Sequence, residues 1–275
     1  MAVNWERGTA MAGPKWPHLR HPREVAAMVE TQAKRWALRQ KGPRDALPER
    51  WPVVTISCEF GAEGVAFGRG LAERLGFSYW DREIVGELAR LLHMGEGTVT
   101  VLDARTRSAL EDLLGAFTPN PQVASAEYEA EVRRIVAAIA RQGSAVIVGR
   151  EAQFLVESCR ALRVRLVAPV DFSVRQLEAE SKISREAARR TIVAGEKERE
   201  AFILHALGKN TADSAHYDVG VNTATFAGER AEAVVLMAYF AKFGAWPLTA
   251  QALTGKPLAE LARRLPPTDL MMNTV

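Results

Sequence analysis

The stretch Pro52-Val53-Val54-Thr55-Ile56-Ser57-Cys58-Glu59-Phe60-Gly61-Ala62-Glu63-Gly64 sets the terms for the fold. Its first half is short, β-branched and apolar, the pattern of a strand buried on both faces of a parallel sheet. Its second half is a turn with two glycines. From Val65 to Leu75 the apolar spacing becomes helical, with Leu71 and Leu75 on one face and Gly76 as the stop. Strand, glycine turn and helix make the first half of a βαβ unit.

The same alternation continues outward. Ser144–Val148, Leu162–Ala168 and Val219–Asn222 read as further strands, and Ser125 caps a helix that runs to Gly143. Helices are expected over residues 172–180, 184–207 and 229–243, and residues 81–115 read as mainly helical. Thr118–Pro121 reads as a loop. Strands that alternate with helices imply right-handed crossovers and a parallel sheet covered on both faces. The expectation is a doubly wound α/β domain over residues 51–243. Before it lies a helical, basic extension with its linker, residues 1–50. After it lies a tail, residues 244–275, with a short amphipathic helix from Pro257 to Leu265.

Charge is unevenly placed. Of 36 Lys/Arg and 33 Asp/Glu, residues 1–50 hold ten and five, so the extension carries +5 and the remainder −2. The body is therefore no basic platform for nucleic acid. The extension reads as a solvated helical arm with Val25, Val29, Ala33 and Trp36 on one stripe. Two cysteines, Cys58 and Cys159, make neither a disulfide framework nor a zinc site, and the five histidines lack metal-ligand spacing. The N-terminus lacks the apolar core of a secretory signal, and no apolar run is long enough to span a bilayer. The expected compartment is a reducing cytoplasm.

A glycine turn between a buried strand and a helix suits an anion. Backbone N–H groups converge there, and the helix dipole adds partial positive charge. Glycines also serve plain tight turns, and GxxxxGK[ST] occurs nowhere in the chain.

Five segments in order sharpen this. Ile56–Gly64, Phe77–Ile84, Val146–Arg150, Ile183–Arg189 with Glu196 and Arg199, and Tyr217–Thr223 together resemble the motifs of the cytidylate kinase-like family. The resemblance spans about residues 53–240. It implies a doubly wound sheet of P-loop NTPase type with a helical lid. It also implies phosphoryl transfer from ATP, with Mg²⁺, to a pyrimidine nucleoside monophosphate, CMP or dCMP first. On this reading Ser57, Gly61, Ala62, Glu63, Gly64 and Val65 hold the ATP phosphates. Asp81, Arg82 and Arg150 hold the monophosphate. Arg150, Arg185 and Arg199 neutralise charge during transfer. Ser57 and Glu151 are outer partners for Mg²⁺, and no residue is assigned as a direct metal ligand. Asp81 reads equally well as a helix N-cap.

The loop departs from the family pattern at three positions: Cys58 replaces an arginine, Glu63 a small residue and Val65 a polar or basic one. Positive charge is lost and a carboxylate gained. Arg69 is a candidate substitute cation. A second reading follows: a catalytically degenerate domain that senses nucleotide or binds a protein partner.

Overall fold

The structure is a computed structural model, and it describes residues 24–25, 27–28, 31–32, 52–93 and 125–244. The tail, the Thr118–Pro121 loop, the far part of 81–115 and most of the basic arm lie outside the described residues.

Five strands form one parallel sheet: β1 (Val53–Cys58), β2 (Ser78–Trp80), β3 (Ala145–Val148), β4 (Ala161–Val167) and β5 (Val219–Asn222), in the order β2-β3-β1-β4-β5. The helices are α1 (Gly64–Leu75), α2 (Arg82–His93), α3 (Ser125–Gln142), α4 (Ala152–Leu155), α5 (Val170–Ser181), α6 (Arg185–Leu207) and α7 (Glu229–Phe243). The chain leaves β1 in one direction along the sheet and makes every later step in the other. Right-handed crossovers therefore put α1 on one face and α2 to α6 toward the other. α7 returns to pack on α1, β4 and β5.

The central strands are buried because both faces are covered. Val53, Val54 and Ile56 are fully buried, as are Val146, Ile147, Val164 and Leu166. α1 approaches the sheet closely through glycine: a Cβ on Gly68 would stand 2.5 Å from Val148 Cγ2. Leu71 and Leu75 fill the same interface.

Two short elements, Ser78–Trp80 and α4, are additions to the sequence reading. Ser78–Trp80 is a strand, three residues long, paired with β3. The arm contributes to the core: Val25 and Gln32 are buried, and Met28 packs against the main cluster. The Gln32 side chain accepts the Tyr79 N–H at 3.2 Å, on the open side of β2. An edge strand leaves such amides unpaired, and here the arm supplies the acceptor. Val25 of the expected stripe is buried, as is Gln32, while residues 24, 27 and 31 are exposed; Val29, Ala33 and Trp36 lie outside the described residues.

α5 and α6 form a hairpin with a small core of its own. Val174, Leu177, Ala188 and Ile192 are buried together, with Phe60 and Ile183 packed against them. Among the described residues no helix is long and apolar enough to cross a membrane.

Candidate functional site

The turn after β1 lies at the carboxyl ends of the strands. The chain diverges there, because β1 feeds a crossover on one face while its neighbours β3 and β4 feed crossovers on the other. Ligands of open parallel sheets bind at such divergence points. Gly61 and Glu63 both have positive φ, at 78° and 54°. They fold the chain back so that α1 begins at Gly64. The Ala62 N–H is used internally, donating to the Glu59 carbonyl at 3.1 Å. The first-turn amides of Gly64, Val65 and Ala66 have no acceptor within their own helix. They offer the anion-facing end of α1.

The Glu63 carboxylate turns aside, accepting from Gln176 Nε2 on α5 at 2.6 Å. Its charge is therefore tied to the hairpin rather than aimed along the α1 axis. Val65 is half exposed at the start of the helix. Arg69 stacks over the Tyr79 ring, 5.7 Å from its centre.

Asp81, Arg82 and Arg150 come together on the β3 side. Gly149, Arg150 and Glu151 have φ of 75°, 53° and 54°, three left-handed residues in succession just past β3. For non-glycine residues this conformation is costly, about 1–2 kcal/mol each, and such strain gathers at functional sites. The turn delivers Arg150 Nη2 to the Arg82 carbonyl at 3.1 Å. Asp81 is buried and caps α2: its Oδ1 accepts from the Glu83 and Ile84 amides at 3.0 Å each. Its Oδ2 accepts from the Tyr79 hydroxyl at 2.9 Å, and that hydroxyl lies 3.3 Å from the Val65 carbonyl. Tyr79 therefore bridges the first turn of α1 and the cap of α2.

On the β4 side lies a cluster that residue patterns do not announce. Arg165 is buried within β4. Its Nη1 donates to Ser57 Oγ at 2.9 Å, its Nη2 to Glu59 Oε1 at 3.2 Å, and its guanidinium lies 5.7 Å from the Tyr217 ring centre. Glu196 on α6 lies 3.6 Å from the same Arg165 and pairs with Arg199. Arg199 also reaches Thr211. Two guanidinium groups thus face two carboxylates, Glu59 and Glu196. Burial pulls the Arg199 pKa down, but hydrogen bonding and charge from Glu196 outweigh it and raise it above its ordinary value. In a strand, Arg163 and Arg165 look alike. Only the chain packed over them separates Arg165, which is inside, from Arg163, which pairs with Asp218 at the rim. A buried serine beside the loop was the one available hint.

The remaining site candidates are dispersed. Arg185 sits at the exposed start of α6, 3.8 Å from Asp171, with Arg189 on the same carboxylate at 3.1 Å. Ser57 is buried under Arg165. Cys58 packs against α1, where a Cβ on Gly64 would come within 2.5 Å of its sulfur. Burial pushes the Cys58 thiol pKa up, against the pull of Arg199 and Arg165. Two clefts flank the loop. One, of 450 Å³, lies between α1 and α7 and is lined by Glu63, Phe67, Arg74, Thr223 and Glu232. The other, of 430 Å³, is lined by Glu59, Arg165, Thr211, Tyr217 and Asp218.

The model of the cytidylate kinase-like family matches residues 53–225, well over half of the chain and all five strands. The chain belongs to the cytidylate kinase-like family. Among solved structures it is similar to the crystal structure of an uncharacterized protein from Eubacterium ventriosum ATCC 27560. That likeness has a TM-score of 0.51 at 15% identity and covers 68% of this chain and 98% of the other. At that identity it speaks for the fold alone. No curated protein matches the chain. Cytidylate kinase-like membership points to nucleotide kinase chemistry in general, and the α/β sheet with its glycine turn is the frame for it.

Proposed function

We propose that the protein transfers the γ-phosphoryl group of ATP to a pyrimidine nucleoside monophosphate, CMP or dCMP. The observation that carries this reading is the Tyr79 bridge. It holds the amide end of α1 beside the turn that carries Arg82 and Arg150, one suited to the donor's phosphates and the other to the acceptor's, while Asp81, expected from the sequence on the acceptor phosphate, is committed to capping α2. In this reading the turn is a P-loop, and the amides of Gly61, Glu63, Gly64 and Val65 receive the triphosphate, whereas the Ala62 N–H, expected there from the sequence, is spent on the Glu59 carbonyl. Arg150 grips the acceptor phosphate through its two-pronged guanidinium. An acceptor oxygen attacks the γ-phosphorus in line, the bond to the β-phosphate oxygen breaks, and ADP leaves. Such a reaction asks the protein for alignment and charge compensation rather than covalent help. The α5–α6 hairpin acts as the lid, bringing Arg185 toward the phosphates and excluding water. Arg199 steadies the loop from below.

Mg²⁺ bound to ATP supplies charge neutralisation across the β- and γ-phosphates. Among the described residues no group of three His, Cys, Asp or Glu side chains could hold a metal. In this reading the ion arrives with ATP and Glu151 would bind its waters, while Ser57, the other outer partner expected from the sequence, is engaged by Arg165. In this reading residues 51–243 are the kinase-like domain, with an arm at 1–50 and a tail at 244–275, working in a reducing cytoplasm.

The test is direct. Purified protein with ATP, Mg²⁺ and CMP should yield ADP and CDP at about 1–100 s⁻¹, the ordinary range for kinases. No product above background at millimolar substrate would overturn the reading.

One observation favours a second reading. Arg165 and Arg199 already face Glu59 and Glu196, and the loop has no lysine, so fewer cations are at hand than phosphoryl transfer usually draws on. A domain that binds nucleotide without turning it over, as sensor or protein-interaction module, would show ligand stabilisation in a thermal-shift series but no ADP.

A further inference from the structure

Three residues of the loop, Phe60, Gly61 and Glu63, are fastened to the α5–α6 hairpin. The Phe60 ring joins the hairpin's own apolar core. Its backbone N–H donates to Glu196 Oε2 on α6 at 3.3 Å. Gly61 presses on α5, where a Cβ would stand 2.6 Å from Ser173 Cβ. The Glu63 carboxylate takes its bond from Gln176, one turn further along α5. On the other side the loop is tied to the sheet, through the Glu59 N–H to the Leu166 carbonyl at 3.0 Å. The loop is therefore strung between a fixed sheet and the hairpin.

The seat for Phe60 is specific. Gly195 lies in the middle of α6, where glycine costs helix stability, about 1 kcal/mol against alanine. A Cβ there would be 2.8 Å from Phe60 Cε1 and 3.1 Å from Cδ1 and Cζ. Missing that one carbon lets the ring lie flat on the helix backbone.

We propose that Phe60, seated on Gly195 and clipped by Glu196, is a positioning residue through which the α5–α6 hairpin sets the geometry of the loop's anion-binding amides. A hairpin that moves as a lid carries Phe60 with it, and residues 61–65 follow because Gly61 and Glu63 are anchored to the same helix pair. Anion affinity at the loop then depends on where the hairpin stands. This proposal rests on the reading of the loop as a phosphate site.

The experiment uses the full chain and the variants Gly195→Ala, Phe60→Ala and their double. Hydrogen exchange of the loop amides and titration with Mg·ATP are measured for each. Alanine strengthens α6 as a helix, so Gly195→Ala acts through its contact with the ring. It should speed exchange of amides 61–65 about tenfold while β3 amides stay unchanged. It should also weaken Mg·ATP binding about tenfold, with CMP binding altered less than twofold. In the Phe60→Ala background the same substitution should add nothing. Unchanged loop exchange in Gly195→Ala, or an equal penalty with and without the ring, would overturn the proposal. Should Phe60→Ala fail to fold, Phe60→Leu replaces it, and its shorter side chain should restore part of what Gly195→Ala loses; no restoration overturns the proposal. A wild-type chain that binds no Mg·ATP would sink the phosphate-site reading instead, while the exchange measurement still decides the linkage.

Discussion

Arg150 Nη2 donates to the carbonyl of Arg82 at 3.1 Å, joining the strained turn after β3 to the first residue of α2. The guanidinium is thereby held across the carboxyl ends of β2 and β3. If it grips the acceptor phosphate, Arg150→Ala should lower kcat/KM for CMP by about a hundredfold or more. Arg150→Lys should recover little of it, because an ammonium cannot bind two oxygens in parallel. Steady-state kinetics with ATP saturating reads this out, and a near-wild-type rate for Arg150→Ala would remove it from the site.

Asp81 works as a cap. Two α2 amides and the Tyr79 hydroxyl converge on its carboxylate. Asp81→Ala should cost about 1–2 kcal/mol of stability, the upper range for a lost N-cap. Urea unfolding at neutral pH checks it. Asp81→Asn, which keeps one acceptor oxygen, should fall between.

Arg165 stabilises by matching charges out of water. Replacing it with alanine leaves Glu59 without its ion-pair partner and Glu196 with Arg199 alone; with both carboxylates part-exposed, the loss should be about 1–3 kcal/mol. Arg165→Met fills the space without the charge. Combined with Glu59→Gln it should recover part of that loss, as a double-mutant cycle by chemical denaturation would show.

Asp218 carries a pH dependence whose sign can be worked out. Burial raises its carboxyl pKa, but hydrogen bonds from Arg163 and Lys242 outweigh that and hold it below the ordinary carboxylate value. A group with a depressed folded-state pKa stabilises the fold above its unfolded value, and that contribution disappears as pH falls through the folded one. Stability measured from about pH 6 down to about pH 3 should therefore decline less steeply in Asp218→Asn than in wild type. Parallel acid limbs would contradict it.

Cys58 and Cys159 should differ as nucleophiles. Cys159 is exposed, while the Cys58 thiol is packed against α1 with its pKa pushed up by burial. A thiol reagent at neutral pH should label Cys159 promptly and Cys58 only after unfolding, since the thiolate is the reactive form. Peptide mapping after timed labelling distinguishes them.

Much of this fold could be read before any coordinates. Four of the five described strands are short apolar runs, and α3 runs from Ser125 to Gln142 as its apolar stripe and Gly143 mark, because buried parallel strands and amphipathic helices impose local periodicities. Ser78–Trp80 escaped because three residues are too few to show alternation. Pairing with β3 and a borrowed acceptor from Gln32 make it a strand. The places of the Phe60–Gly64 turn after β1 and of Arg150 just past β3 were legible, since glycines and strand ends have positional meaning. Arg165 was not, because alternation cannot tell a strand residue facing solvent from one facing a hairpin that arrives later in the chain. The seat of Phe60 on Gly195 is the same kind of fact: contacts across more than a hundred residues exist only once the sheet has brought both ends together. Composition and local pattern, which depend on near neighbours, determined the α/β class and the place of the loop. Tertiary packing, which depends on what the crossovers lay over the strand ends, decided which charges are paired, which side chains turn away, and what holds the loop.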